Sequence, residues 1–388
     1  MIYFFYLCKK YNLMKFVVSS TELLARLQSV SRVVSSKNTI SILDNFLFIL
    51  KDGFLSITAS DLETSLKASM AIDNVSEEGE ITVPARLLVD SLKEFPDQPL
   101  EFNTNATTSA IEITWTSGNS ILPCTPSDDY PTIAELSSEN TEIIMPSATL
   151  LEGINRTLYA TAEEELRPVM NGVYFDIDSD NATLVASDAH KLVCYTRKDI
   201  KSEQKSSFIL PKKPASILKN ILSKIEQNVR IRFDSKNAYF EFDAFVLVCR
   251  LVEGNYPAYK SVIPKNNQNK MVINRQDFLN CTRRVAVCSN QASSQVKLKL
   301  TYNQLVISAQ DLDFSVSANE RIGCQYEGDP MEIGFKSTFL IEILNNLPYS
   351  DITLELSDPT RAALILPAGQ QDPNEEILAL IMPMMVSA

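Results

Sequence analysis

Short apolar strands and apolar runs at helical spacing recur three times along the chain in the same order. Each copy opens on a strand: Phe16-Val17-Val18, Ile143-Ile144-Met145 or Met271-Val272-Ile273. Hydrophobic periodicity then predicts helices over Thr21 to Val34, Ala148 to Ala160 and Arg275 to Cys288. A further apolar strand follows and closes on an aspartate, Asp61, Asp188 or Asp311, spaced 127 and 123 residues apart. A second strand-to-helix element comes next, at Ile81 to Pro84, Phe208 to Pro211 and Met331 to Phe335. It leads into apolar positions such as Leu87, Leu88 and Leu92, or Phe339, Leu340 and Leu344. Pro84 and Pro211 are expected in the first helical turn, where a missing N–H costs nothing. Pro131, Pro257 and Pro383 close the copies at spacings of 126 and 126.

Landmarks recurring in register define an internal repeat, which precedes any fold assignment. The chain divides at about 14–137, 141–265 and 270–388, with polar linkers Ser137-Ser138-Glu139-Asn140 and Lys265-Asn266-Asn267-Gln268-Asn269 at the cuts. Two helices and several short strands rich in Val, Ile, Phe and Thr make each unit α+β with mostly antiparallel sheets. Residues 1–13 stand outside the pattern. Their apolar stretch is short and is followed, not preceded, by lysines, so they read as an upstream extension with Met14 as the functional start.

Composition narrows the function. The 388 residues are 45% hydrophobic, enough for several cores, and no apolar run approaches the roughly 20 residues of a membrane span. Seven scattered cysteines with no C-x-x-C pair, and a single histidine, support neither a disulfide framework nor a zinc site. Reduced thiols fit a cytoplasmic protein. With 10 glycines the chain has no phosphate-binding loop of either common pattern. Any triad would have to use His190, which reads instead as a partly buried residue at a strand turn. Asp128-Asp129 and Glu163-Glu164-Glu165 read as solvated loop carboxylates. The chain is expected to be no enzyme and to need no cofactor or metal.

The net charge of −12 argues against nucleic acid as an average, but the charge is unevenly placed. The six predicted helical segments carry 14 basic and 6 acidic residues, leaving the remainder at about −20. A basic surface shared by helices of an acidic protein suits phosphate contact without base readout. The candidates are Arg26, Lys37, Arg86, Arg156, Lys212, Lys213 and Arg283. Few aromatics interleave with them, which disfavours single-strand stacking.

Several stretches carry a family resemblance: Met14-Lys15-Phe16, Thr82-Val83-Pro84-Ala85-Arg86, Asn171-Gly172, Ser187-Asp188-Ala189-His190-Lys191-Leu192, Asn255-Tyr256-Pro257-Ala258-Tyr259, Met331-Glu332-Ile333-Gly334-Phe335 and Met382-Pro383-Met384. On these, the chain from Met14 to Met385 resembles the bacterial DNA polymerase III beta subunit, the sliding-clamp family. The resemblance implies three clamp domains, each with two helices packed on antiparallel sheets, and a head-to-tail homodimer enclosing duplex DNA. It singles out Lys37, Arg86, Lys212 and Lys213 to face DNA. It further implies partners: a replicative polymerase subunit, a separate clamp loader and other clamp-binding peptides, which insert an apolar segment between the second and third domains. That pocket would comprise Met170, Ser187, Ala189, His190, Lys191, Leu192, Pro257, Val262, Ala362, Leu380, Met382, Pro383, Met384 and Met385. Methionines suit a site that accepts several partners. An apolar edge near Leu122 is the candidate for part of the dimer contact. Three departures stand out: the ending Met385-Val386-Ser387-Ala388 lacks a basic residue, the Glu163-Glu164-Glu165 loop is acidic, and Pro168-Val169 lacks aromatics.

Overall fold

The computed structural model describes residues 14–35, 38, 40–105, 108–163, 167–369 and 372–386; the N-terminal extension, Lys37 and Glu164-Glu165 lie outside them. Contacts group the chain into two compact units. One runs to Ser147 and takes in Asn220–Arg250; the other comprises Ala148–Lys219 and Leu251 onward.

Six α-helices occur among the described residues: α1 (Ser20–Val30), α2 (Ala85–Leu92), α3 (Ser147–Thr157), α4 (Lys212–Leu222), α5 (Arg275–Ala286) and α6 (Ser337–Asn346). The first and third repeats start their leading helices on side-chain caps. Ser19 accepts from Glu22 N, and Asn274 accepts from Gln276 N and Asp277 N. Pro84 sits one place earlier than the proline rule suggests. It ends the strand Gly79–Pro84 and serves as N-cap of α2 with ψ 116°, because strand passes into helix with no loop between. Pro211 likewise closes its strand immediately before α4.

In the first unit an eight-stranded antiparallel sheet runs in the order Thr141–Pro146, Asn228–Phe233, Asn237–Phe242, Phe245–Arg250, Thr64–Ala71, Phe54–Ser60, Asn45–Lys51, Gly79–Pro84. The pairing of Phe245–Arg250 with Thr64–Ala71 joins strands of the first and second repeats. A five-stranded sheet ends at Gly118–Pro123. In the second unit a nine-stranded sheet joins the second and third repeats by pairing Lys191–Arg197 with Glu375–Ile381. A four-stranded sheet there ends at Val316–Gly323.

The repeated aspartates do the same work in every copy. Asp61 Oδ1 accepts from Glu63 N and Thr64 N, Asp188 Oδ1 from His190 N and Lys191 N, and Asp311 Oδ1 from Asp313 N and Phe314 N. Each carboxylate satisfies the amides of a turn between two strands, as Asp side chains do best.

Helices α5 and α6 pack on the second unit's sheets over one core that includes Tyr195, Phe278, Phe335, Leu340 and Ile365. Burying each such side chain contributes about 1.5–3 kcal/mol. Close backbone approach fixes one glycine: a Cβ on Gly172 would meet Leu210 O at 2.6 Å across the strand pair. Gly172→Ala is therefore expected to lower the unfolding free energy by about 1–3 kcal/mol through overpacking. Gly323→Ala, where a Cβ meets open space, should change it far less. Urea denaturation of the two variants against the parent checks the contrast.

Candidate functional site

Equivalent seam strands of the three repeats differ in what they show to the outer face. Taking the pairs that flank each capped turn, Ser60↔Ser65, Ser187↔Leu192 and Gln310↔Ser317, aligns the copies residue by residue. The outward positions then read Ser65 and Lys67 in the first, Leu192 and Cys194 in the second, Ser317 and Asn319 in the third. Only the second repeat is apolar there, and its partner strand matches it with Leu380 and Leu378. The apolar character is therefore particular to the second repeat and is not a demand of the repeated strand as such.

These residues belong to a buried cluster of Val185, Leu192, Cys194, Tyr259, Ala362, Leu364 and Leu380, flanked by the partly buried Tyr174, Tyr256, Ile263, Leu366 and Leu378. Tyr259 reaches it from the segment after Pro257, its hydroxyl donating to Asp176 Oδ2 at 2.8 Å. Burial pushes its phenol pKa up, with the Asp176 bond adding to the shift. Burial likewise pushes the Cys194 thiol up to about 12, so it behaves as an apolar group. A cavity of about 560 Å³ opens beside Cys194, Tyr259, Ile263 and Leu378.

A second cavity, of about 840 Å³, lies between the Asp188–Lys191 turn, the start of α6 and the tail at Met382-Pro383-Met384. The tail is pinned by Met382 N donating to His190 O and Met384 N donating to Gly334 O, both at 2.8 Å. His190 is exposed, not partly buried, and stacks on Phe339 with ring centroids 5.7 Å apart. The neighbouring Asp188 carboxylate is spent on the turn amides and on Lys191 Nζ at 2.6 Å, so it does not orient the imidazole as a triad would. Lys191 is the buried cation, with its side chain 5% exposed, paired to Asp188 and to Glu342 Oε2 at 3.0 Å. Its ammonium also lies 4.4 Å from the Phe339 ring centroid.

The pocket residues expected from the sequence thus separate. Leu192, Ala362 and Leu380 form the buried floor; His190, Lys191, Met382, Pro383 and Met384 line the larger cavity. Ser187 is buried, its hydroxyl donating to Lys191 O; Ala189 holds the turn at φ 74°. Pro257, Val262 and Met385 are exposed and Met170 is half-buried. Phe339, Lys336 and Glu342 line the same cavity and were not anticipated as site residues; the helical spacing marks Phe339 and Leu340 alike and cannot tell core from rim.

The basic candidates are equally mixed. Arg86 is 96% exposed on α2, and Lys213 is exposed on α4. Arg26 lies over the Phe245 ring and near Asp243, while Arg283 donates to Asn345 Oδ1. Lys212 pairs with Glu163 at 3.0 Å, which holds that carboxyl below its ordinary value. Arg156 is only 16% exposed, bonded to Glu152 and to Asn346 O. There it satisfies an orphan carbonyl at the C-terminus of α6, a packing duty that the helix charge pattern does not reveal.

Models of the N-terminal, central and C-terminal domains of the DNA polymerase III beta subunit match residues 14–134, 144–258 and 260–385 in order. The chain belongs to the DNA polymerase III beta subunit family. It is 30% identical over 372 residues to the beta sliding clamp of Pseudomonas putida KT2440, covering 96% of this chain and all of that one. It is 29% identical to the beta sliding clamp of Escherichia coli K12, over 92% of this chain and 97% of the relative. The solved clamp of Pseudomonas aeruginosa bound to griselimycin superposes with a TM-score of 0.90 at 28% identity, covering 96% of this chain and 100% of that chain. The beta subunit of Thermotoga maritima does so at 0.88 and 26%, with the same coverage. The three clamp domains, with helices on antiparallel sheets, are therefore those of this family.

Breaking the Lys191 pairs strands Asp188 beside a buried cavity wall. Lys191→Met is expected to cost about 3 kcal/mol of stability, the lower end for breaking a buried ion pair. Lys212→Met, which breaks an exposed pair, should leave the unfolding midpoint unchanged, and chemical denaturation distinguishes the two.

Proposed function

We infer that this chain is a DNA polymerase processivity factor, a sliding clamp that encircles duplex DNA and tethers the replicative polymerase and other clients. It is not an enzyme. The reading is carried by the ordered match of all three beta subunit domains across residues 14–385. Clients dock an apolar segment on the Leu192–Leu380 floor and the cavity beside His190 and Met384. A separate ATP-driven loader opens the ring, and the protein works in the cytoplasm. No helix among the described residues is long and apolar enough to cross a membrane.

Enclosure makes retention topological, so the protein needs only weak, base-independent attraction to phosphate. Arg86, Lys213, Lys212, Arg26 and Arg283 are the proposed contacts, with Lys37 as a further one; Arg156 is committed to α6. Reversing Arg86, Lys212 and Lys213 to Glu is expected to cut loader-dependent retention on nicked circular DNA at least tenfold. With the parent protein, cutting the circle to a linear form should release it. Equal retention on circle and line, measured by gel filtration of labelled clamp, would sink the topological reading.

Homodimer closure follows from the unfinished sheets. Val316–Gly323 is the counterpart of Thr64–Ala71 and Lys191–Arg197, seam strands that pair with a neighbouring repeat. Yet it is the outermost strand of its four-stranded sheet, as Gly118–Pro123 is of the five-stranded one. Apolar side chains stand exposed at both edges: Ile121 at 65%, Leu312 at 80% and Phe314 at 71%. Exposed apolar edges invite strand pairing, and a head-to-tail pair of chains completes both sheets. Ile121→Asp or Phe314→Asp alone should give monomers by light scattering, since each alters both contacts of the pair.

A further inference from the structure

The cavity beside α6 has more cation than its own carboxylates can use. Glu163, Asp188 and Glu342 line it, and each is already paired, to Lys212, Lys191 and Lys191. Lys336 and Arg167 also line it and have no carboxylate within ion-pair distance among the described residues. Lys336 rests its ammonium on an aromatic face instead, 4.7 Å from the Phe339 ring centroid. A cation held this way is oriented toward the cavity at small energetic cost, and it gains by exchanging the ring for a charge-assisted bond to an anion. The same ring is the broad apolar wall, backed by His190, on which a client side chain would lie.

Resting on the client-pocket reading above, we propose that Lys336, with Arg167 beside it, selects client segments that carry an acidic side chain next to their apolar core. The apolar core supplies most of the affinity through the Leu192–Leu380 floor. The carboxylate sets preference among clients of equal apolarity, because an ion pair at a partly exposed rim contributes modestly but discriminates sign.

The test uses the full chain and short synthetic peptides, acetylated and amidated, with one leucine-phenylalanine core flanked on both sides by Glu, Gln or Lys. Fluorescence anisotropy at low salt should rank them Glu, Gln, Lys, with about a two- to fivefold step between Glu and Gln that shrinks as salt rises. Lys336→Arg should keep that ranking, Lys336→Gln should narrow it, and Lys336→Glu should invert it in favour of the Lys-flanked peptide. Equal binding of the Glu and Gln peptides to the parent chain, or a preference for Glu that survives Lys336→Glu, overturns the assignment while leaving the pocket intact. Binding of none of the three overturns the pocket itself, and this inference with it.

Discussion

The antiparallel pairing of Lys191–Arg197 with Glu375–Ile381 is the constraint on which the second unit depends. Its register sends Val193, Tyr195, Ile377 and Ala379 inward to the helices and Leu192, Cys194, Leu378 and Leu380 outward. A slip of one residue would exchange those two sets, destroying both apolar clusters together. Both faces being apolar, the strand from Lys191 to Tyr195 is buried at every position and reads as a continuous run rather than an alternation. Two apolar clusters are here the two sides of one strand pair, so each constrains the other.

The turn before that pair is stabilised in the same economical way. Asp188 satisfies two amides with one oxygen and the buried Lys191 ammonium with the other. Because Lys191 also meets Glu342, the turn is linked electrostatically to α6, and α6 in turn presents Phe339 to the cavity. Arg156 and Arg275 hold the far end of α6 by donating to Asn346 O, Leu344 O and Tyr349 O. Such partners offset the free carbonyls that a helix end leaves unsatisfied. The cavity walls are therefore positioned in part by cations bonded within the protein.

Repetition made the fold legible. A strand, a helix and an aspartate recurring at nearly constant spacing are a stronger signal than any single periodic run, and the helices begin within a residue or two of their expected starts. What the sequence could not carry was direction. Arg86 and Arg156 both stand on helices, yet one projects into solvent and the other bonds a helix end in the next repeat. His190 was expected to be partly buried from its place after a strand, but the turn geometry set by Ala189 at φ 74° turns it outward onto Phe339. The place of Phe339 depends on packing against His190 and Lys191, more than a hundred residues away, which no local pattern encodes.

The three seam strands also explain how one repeated unit supports different tasks. The inward positions are apolar in the first two copies, Leu66 and Ala68 in one and Val193 and Tyr195 in the other, while the third places Ala318 and Glu320 there, the glutamate paired to Arg284 of α5. The outward positions are free, and they diverge: serine and lysine in the first copy, leucine and cysteine in the second, serine and asparagine in the third. Polar residues keep the first outer face in water, where a hydrophobic strip would invite unwanted association. In the third copy the equivalent strand is the outermost of its sheet, and exposed apolar side chains gather in the turn before it at Leu312 and Phe314. Face and edge are the two surfaces that a sheet can offer, and the copies of this chain differ in both: the second has an apolar face, and the third leaves its equivalent strand at a sheet edge.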